Sequence, residues 1–304
     1  MMSNLYLLSA PPASGKTYWI SQNWSTISKR CLFLSPLRAI CEEFEQAHQS
    51  SCDTFYLRSK KEVLTFLKSP PSKALCLMTV EVFMSTSQLW EQKFFRSFRG
   101  GLPCIFIDEF HLIKIWGDSF RPVLHEMLYF LSTQEVNIIG MSASLDCDCE
   151  QWVQTELKNG FSNLYWLDHG NMIFKHSPKR QYIFRWKQIF YFWLFLELVA
   201  AKYKGQAVLV FCRYRHEVYE LCSFFRPFIS TIGVVGGQTQ GFSKKIQALR
   251  PRLIVGTSCL GHGVNLPILS SVFCNYREKN EALRLQMLSR GGRKGDEFIT
   301  VELW

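Results

Sequence analysis

Three groups of residues in this chain have the types and spacing for phosphate chemistry. Ala10-Pro11-Pro12-Ala13-Ser14-Gly15-Lys16-Thr17 places glycine, lysine and a hydroxyl behind the apolar run Leu5–Leu8. Backbone N–H groups of such a loop, with the start of the helix that follows, can surround phosphates. Ser14 and Gly15 belong to that cradle, Lys16 would reach the β- and γ-phosphates, and the Thr17 hydroxyl would bind Mg²⁺. Asp108-Glu109 follows a second apolar run, Cys104–Ile107. There Asp108 would hold Mg²⁺ directly or through water, and Glu109 would orient and deprotonate the attacking water. Gln286-Met287-Leu288-Ser289-Arg290-Gly291-Gly292-Arg293 then offers two guanidinium groups to neutralise charge on a transferring γ-phosphate. In this order the three pieces imply hydrolysis of a nucleoside triphosphate between two domains.

Such residues need strands to carry them to one edge of a sheet. Leu5–Leu8, Cys31–Leu34, Ala74–Met78, Cys104–Ile107 and Asn137–Met141 each read as a buried strand ended by polar or turn residues. The segments between them are long enough for crossover helices, so the expected fold class is α/β, with a mostly parallel sheet flanked by helices. The motifs then fall at the carboxyl ends of strands, where open α/β sheets bind ligands. The pattern breaks around Asp168-His169-Gly170-Asn171, and Ser177-Pro178-Lys179-Arg180 follows. A linker there divides the chain into domains 1–170 and 171–304. A second alternation opens with a helix near Gln188–Lys204. Strands follow near Ala207–Phe211, Ile229–Val235, Leu253–Val255, Val272–Asn275 and Phe298–Leu303.

At 304 residues there is room for two such domains, each with its own core. A net charge of +10 points to a polyanionic partner. Eleven cysteines are scattered, many inside apolar runs (Cys31, Cys76, Cys104, Cys212, Cys274), where they read as small buried hydrophobes of a reducing, cytoplasmic compartment. The N-terminus lacks the basic region of a signal peptide. The apolar stretch Ile189–Ala201 is too short to span a bilayer and reads as a core helix, without a membrane role. Its aromatic residues, with Trp186 before it (Trp186, Phe190, Tyr191, Phe192, Trp193, Phe195), are therefore expected in the core. Phe94-Phe95-Arg96-Ser97-Phe98-Arg99 mixes aromatic and basic residues and reads as a base-stacking or partner surface.

With these residues placed, the chain resembles superfamily 2 DExH-box helicases, and within them the Ski2-like/Hel308-like branch. Ala10 to Thr17 is similar to motif I, with Ala13 where glycine is usual. Ser35-Pro36-Leu37-Arg38-Ala39-Ile40 resembles motif Ia, and Met78-Thr79-Val80-Glu81 motif Ib. Asp108-Glu109-Phe110-His111 is a DExH box, Ser142-Ala143-Ser144 stands for motif III, and Val210-Phe211-Cys212-Arg213 for motif IV. Gly256 to Pro267, ending Gly263-Val264-Asn265-Leu266-Pro267, looks like motif V, and Gln286 to Arg293 like motif VI.

The resemblance implies two tandem RecA-like domains, the first with motifs I to III and the second with motifs IV to VI. It implies that His111, Ser142 and Ser144 couple nucleotide state to domain movement. Gln286 would position water or the γ-phosphate, with Arg293 as the arginine finger and Arg290 beside it. Gly263 and Asn265 would lie near the nucleotide. Pro36, Arg38, Thr79 and Thr257 would touch one nucleic-acid strand through its phosphates, which positions without reading sequence. The expected activity is an ATP- and Mg²⁺-dependent translocase or helicase on single-stranded DNA or RNA, moving 3′ to 5′. The resemblance does not extend to winged-helix and ratchet domains, so the expectation is a bare motor core, with protein partners supplying accessory domains. A nucleotide-dependent nucleic-acid clamp or partner-recruiting module with a vestigial ATPase is the alternative. A small-molecule kinase accounts for the phosphate loop but not for the second sheet or the late arginines.

Overall fold

The structure, a computed structural model, describes residues 3–47, 53–95, 102–236, 242–261 and 265–304. It divides into two compact units, Met1–Met172 and Ile173–Trp304. In the first, strands β1 (Asn4–Ser9), β2 (Arg30–Ser35), β3 (Thr54–Tyr56), β4 (Ala74–Thr79), β5 (Cys104–Ile107), β6 (Asn137–Ser142) and β7 (Asn163–Asp168) form one sheet. Their order is β3-β4-β2-β5-β6-β1-β7, and every pair is parallel. Helices α1 (Lys16–Ile27), α2 (Arg38–Ala47), α3 (Lys60–Phe66), α4 (Val80–Met84), α5 (Ser87–Trp90), α6 (His111–Gly117), α7 (Val123–Ser132) and α8 (Cys147–Trp152) lie along the connections.

Why the inner strands are apolar throughout follows from this layering. Leu32 and Leu34 of β2 join Leu5, Leu7, Ile105 and Ile107 in one core layer. Their neighbours Cys31 and Phe33 join Leu75, Leu77 and Phe106 in a layer on the opposite face. A strand covered on both faces has no solvent side on which to place polar residues. Three strands were not expected from the sequence: β3 and β7, and β8 of the second unit. All three are sheet edges, and their half-exposed residues break the continuous apolar signal.

The second unit has β8 (Arg180–Phe184), β9 (Ala207–Phe211), β10 (Thr231–Val234), β11 (Leu253–Gly256), β12 (Leu269–Cys274) and β13 (Ile299–Leu303). They run in the order β10-β11-β9-β12-β13-β8, again with every pair parallel. Its helices are α9 (Lys187–Lys204), α10 (Arg215–Phe225), α11 (Phe242–Leu249) and α12 (Glu281–Leu288). Gly205, left-handed at φ 69°, ends α9. Phe190, Leu194, Leu198 and Ala201 of α9 pack on the sheet beside Val218, Cys222 and Phe225 of α10.

Two expectations about aromatic residues need correction. Of the α9 cluster, Phe190 is buried and Tyr191 and Trp193 pack partly against the core, but Trp186, Phe192 and Phe195 are exposed. A helix lying on a sheet buries one stripe, and the helical period turns these three away from it. Phe94 and Phe95 do not form a stacking surface, because both are buried, Phe94 edge-on against Trp90. Arg96 to Arg99 lie outside the described residues. Among the described residues, no helix is long and apolar enough to cross a membrane.

Candidate functional site

In the first unit the phosphate loop leaves β1 at Ser9 and enters α1 at Lys16. Two left-handed residues turn it, Ala13 at φ 60° and Gly15 at φ 92°. Gly15 needs that conformation to aim the first N–H groups of α1 into the loop, and a Cβ built on it would meet nothing within 4 Å, so the loop faces open space. Lys16 folds back over the loop, with Nζ donating to the carbonyls of Ala10 at 2.7 Å and Pro11 at 3.1 Å. Ser14 N–H closes the turn on Pro11 O at 3.2 Å.

The DExH residues sit where the backbone changes partner. Asp108 N–H donates to Leu34 O of β2, and Phe110 N–H donates to Met141 O of β6. Between them Glu109 takes φ 51°, left-handed and uncommon for a residue with a Cβ, and this kink swings the chain from one neighbouring strand to the other. Gly140 of β6 makes room: a Cβ there would lie 2.4 Å from Phe110 Cδ2 and 2.8 Å from Leu7 Cδ2. A lone glycine in an apolar strand is the sequence signal of such a close approach.

Strand order brings these pieces together. β6 lies between β1, which carries the phosphate loop, and β5, which carries Asp108 and Glu109. Ser142, at the end of β6, touches both sides. Its carbonyl accepts Ala10 N–H at 3.0 Å, and its Oγ lies 2.9 Å from His111 Nδ1 and accepts Ser144 N–H at 3.1 Å. The same His111 nitrogen is 3.7 Å from Glu109 Oε2. Asp108 is buried, and its pKa is pushed up to about 7 by desolvation first and by the neighbouring Glu109 charge second, while Lys16 and the Glu109 N–H oppose the rise. A buried carboxylate held near neutrality beside a second carboxylate suits a divalent cation, whose charge would satisfy both.

Pro36, Arg38 and Thr79 also come together within this unit. β2 and β4 are adjacent, with Ser35 opposite Thr79, so both motifs leave the same edge of the sheet. Arg38 is exposed at the start of α2, whereas Pro36 and Thr79 are buried. Arg121, which the sequence did not single out, ties the two segments. It donates to Pro36 O at 2.8 Å through Nη1 and pairs with the Glu81 carboxylate. A lone arginine between two helices carries no spacing signal that reveals this.

In the second unit, α12 delivers motif VI. Gln286 and Arg290 are buried, whereas Arg293 is exposed beyond a left-handed Gly292 at φ 68°. A Cβ on Gly291 would lie 2.0 Å from Phe298 Cδ2, so only glycine lets the loop pass that ring. Arg284 anchors the helix with a two-bond fork on Glu302 of β13, at 2.6 and 2.5 Å. Arg290 is near enough to Cys259 for its charge to favour the thiolate there, against the desolvation that dominates that thiol. Thr257, half-buried after β11, donates to Cys259 Sγ. Asn265 is exposed, and Gly263 lies outside the described residues.

Comparison with known proteins fits this geometry. Residues 2–152 match the family model described as DEAD/DEAH box helicase. The first unit carries a DEAD/DEAH box helicase domain. Solved helicase structures extend the likeness of fold to nearly the whole chain. Mss116p bound to ssRNA and AMP-PNP aligns with 99% of this chain at TM-score 0.73 and 16% identity. Lhr of Mycobacterium smegmatis bound to ssDNA and AMP-PNP aligns with 98% at TM-score 0.69 and 17% identity. Dbp5 of S. cerevisiae bound to RNA and ADP BeF3 aligns with 98% at TM-score 0.71 and 14% identity. The alignments span 66% of the Mss116p chain, 43% of Lhr and 78% of Dbp5. A search of curated proteins returns no match. The paired parallel sheets thus share the fold of the tandem RecA-like domains in those structures, and the first unit holds the phosphate loop and the DExH box at the carboxyl ends of β1 and β5.

Proposed function

We propose that this chain is a nucleic-acid-dependent ATPase of the superfamily 2 helicase type, in its Ski2-like/Hel308-like branch. The observation that carries the reading is Ser142, bonded at once to the phosphate loop and to the DExH histidine. A group so placed senses both the nucleotide and the hydrolytic carboxylate.

In this reading ATP lies against the loop, and Lys16 exchanges the carbonyls of Ala10 and Pro11 for phosphate oxygens. Thr17 and Asp108 would hold Mg²⁺, which when bound would supply positive charge against the phosphates. Glu109 orients the attacking water and accepts its proton. Because His111 stands between Glu109 and Ser142, a shift of the carboxylate reaches Ser142 and Ser144. Gln286, Arg290 and Arg293 complete the site when the second unit is drawn to the nucleotide, with Arg293 as the finger and Asn265 and Gly263 beside the nucleotide. Pro36, Arg38, Thr79 and Thr257 grip one strand through its phosphates. Alternate closing and opening then steps the protein along it, 3′ to 5′, without base specificity. Protein partners would assist processive unwinding.

The test is phosphate release against a panel of single- and double-stranded DNA and RNA. Turnover should rise with single strands, and Lys16→Ala or Glu109→Gln should lower it by about 10²-fold or more. Turnover indifferent to every nucleic acid, or unchanged in both variants, overturns the motor. Nucleotide-dependent nucleic-acid binding without phosphate release would instead support the clamp.

A further inference from the structure

Helix α9 is apolar on two opposite faces. Phe190, Leu194, Leu198 and Ala201 account for the inner one. The outer one consists of Ile189, Phe192, Leu196, Val199 and Tyr203, with Phe195 along its border. Successive steps of three, four, three and four residues make this outer stripe a heptad seam, the pattern that packs one helix against another. A helix apolar all round is ordinarily buried all round, yet Phe192 is 61%, Phe195 57% and Tyr203 86% exposed.

We propose that this seam is covered by the α9 helix of a second copy of the chain, the two running antiparallel about a two-fold axis through Leu196. Area supports this occupant. An aromatic side chain offers roughly 150–250 Å², so with three aliphatic neighbours each copy contributes about 600 Å², and the pair buries about 1,200 Å², enough for a stable specific interface. Charge favours this direction. The antiparallel arrangement sets Lys202 beside Gln188 of the other copy, Ile189 against Tyr203, Phe192 against Val199, and Leu196 against itself. A parallel pair would set Lys187, Lys202 and Lys204 each level with its own copy, whereas the antiparallel register brings Lys187 near Lys204 at each end and keeps Lys202 beside Gln188.

Sedimentation velocity of the full chain over micromolar concentrations tests the pairing, with a reversible mass of twice 35.5 kDa expected. Leu196→Glu sets two carboxylates face to face and should weaken dimerisation by about a hundredfold or more while leaving the circular dichroism of the fold unchanged. Tyr203→Ser, at the end of the seam, should weaken it by a smaller factor. Leu196→Glu mixed with Leu196→Lys should restore the doubled mass, because the two-fold axis pairs this position with itself. A wild-type monomer at every concentration overturns the proposal, including one that binds anionic vesicles instead. So does a Leu196→Glu chain that still dimerises, or a charge-swapped mixture that stays monomeric.

Discussion

Asp108 is a buried carboxylate sharing its surroundings with Glu109, and its pKa is raised to about 7, chiefly by desolvation. The sign of the consequence is fixed. A carboxyl raised on folding favours the folded state below its ordinary value near 4, and that contribution is lost as pH climbs through about 7. The nucleotide-free protein should therefore lose stability progressively as pH rises from about 4 to about 7, by up to about 4 kcal/mol for this group, with no further loss from it at higher pH. Asp108→Asn, which keeps the shape without the charge, should flatten the dependence, so that the melting temperatures of the two proteins converge near pH ~4 and separate progressively up to pH ~7. An equal slope in both would show that Asp108 is not the titrating group. The placement of Lys16, Thr17, Asp108 and Glu109 just past the ends of β1 and β5 was legible in the sequence, because each follows an apolar run closed by polar residues. The left-handed backbone at Ala13 and Glu109 was not, since neither residue type announces a positive φ.

Among the elements, β6 positions the chemistry without supplying any. Its Gly140 admits Phe110, and the insertion of Phe110 is what leaves Glu109 on its kink. Gly140→Ala should cost about 1–3 kcal/mol through overpacking and lower kcat with it, because the displaced ring carries Glu109 along. Gly160→Ala is the control: its added methyl meets nothing within 4 Å, and both melting temperature and turnover should stay near wild type. Equal losses in the two variants would separate Gly140 from the site. The inner strands β1, β2, β4, β5 and β6 could be read as apolar runs because both their faces are covered. β3, β7 and β8 could not, since an edge strand covers less and mixes its residues. The outer face of α9 was misassigned for a related reason: composition alone cannot tell a helix buried on all sides from one with an apolar face still open.

At the scale of the molecule, each unit owns its core layers. Leu5 to Phe161 fill those of the first unit and Phe190 to Leu303 those of the second. A fragment ending at Met172 should therefore fold cooperatively and bind ATP, since Lys16, Thr17, Asp108 and Glu109 are all within it. Gln286, Arg290 and Arg293 are not. If an arginine finger from the second unit stabilises the transferring phosphate, removing it should cost about 10³-fold or more in turnover while ATP affinity changes far less. Stimulation by single strands should fall as well, because of the four proposed strand contacts Thr257 is removed while Pro36, Arg38 and Thr79 remain. Adding residues 173–304 as a separate chain should recover turnover only toward millimolar concentration, the effective value that a short tether provides. Single-turnover hydrolysis by fragment 1–172, with and without single-stranded nucleic acid, measures both quantities. Full, strand-stimulated turnover by that fragment would place the whole reaction inside the first unit and leave the second unit's arginines for some other task.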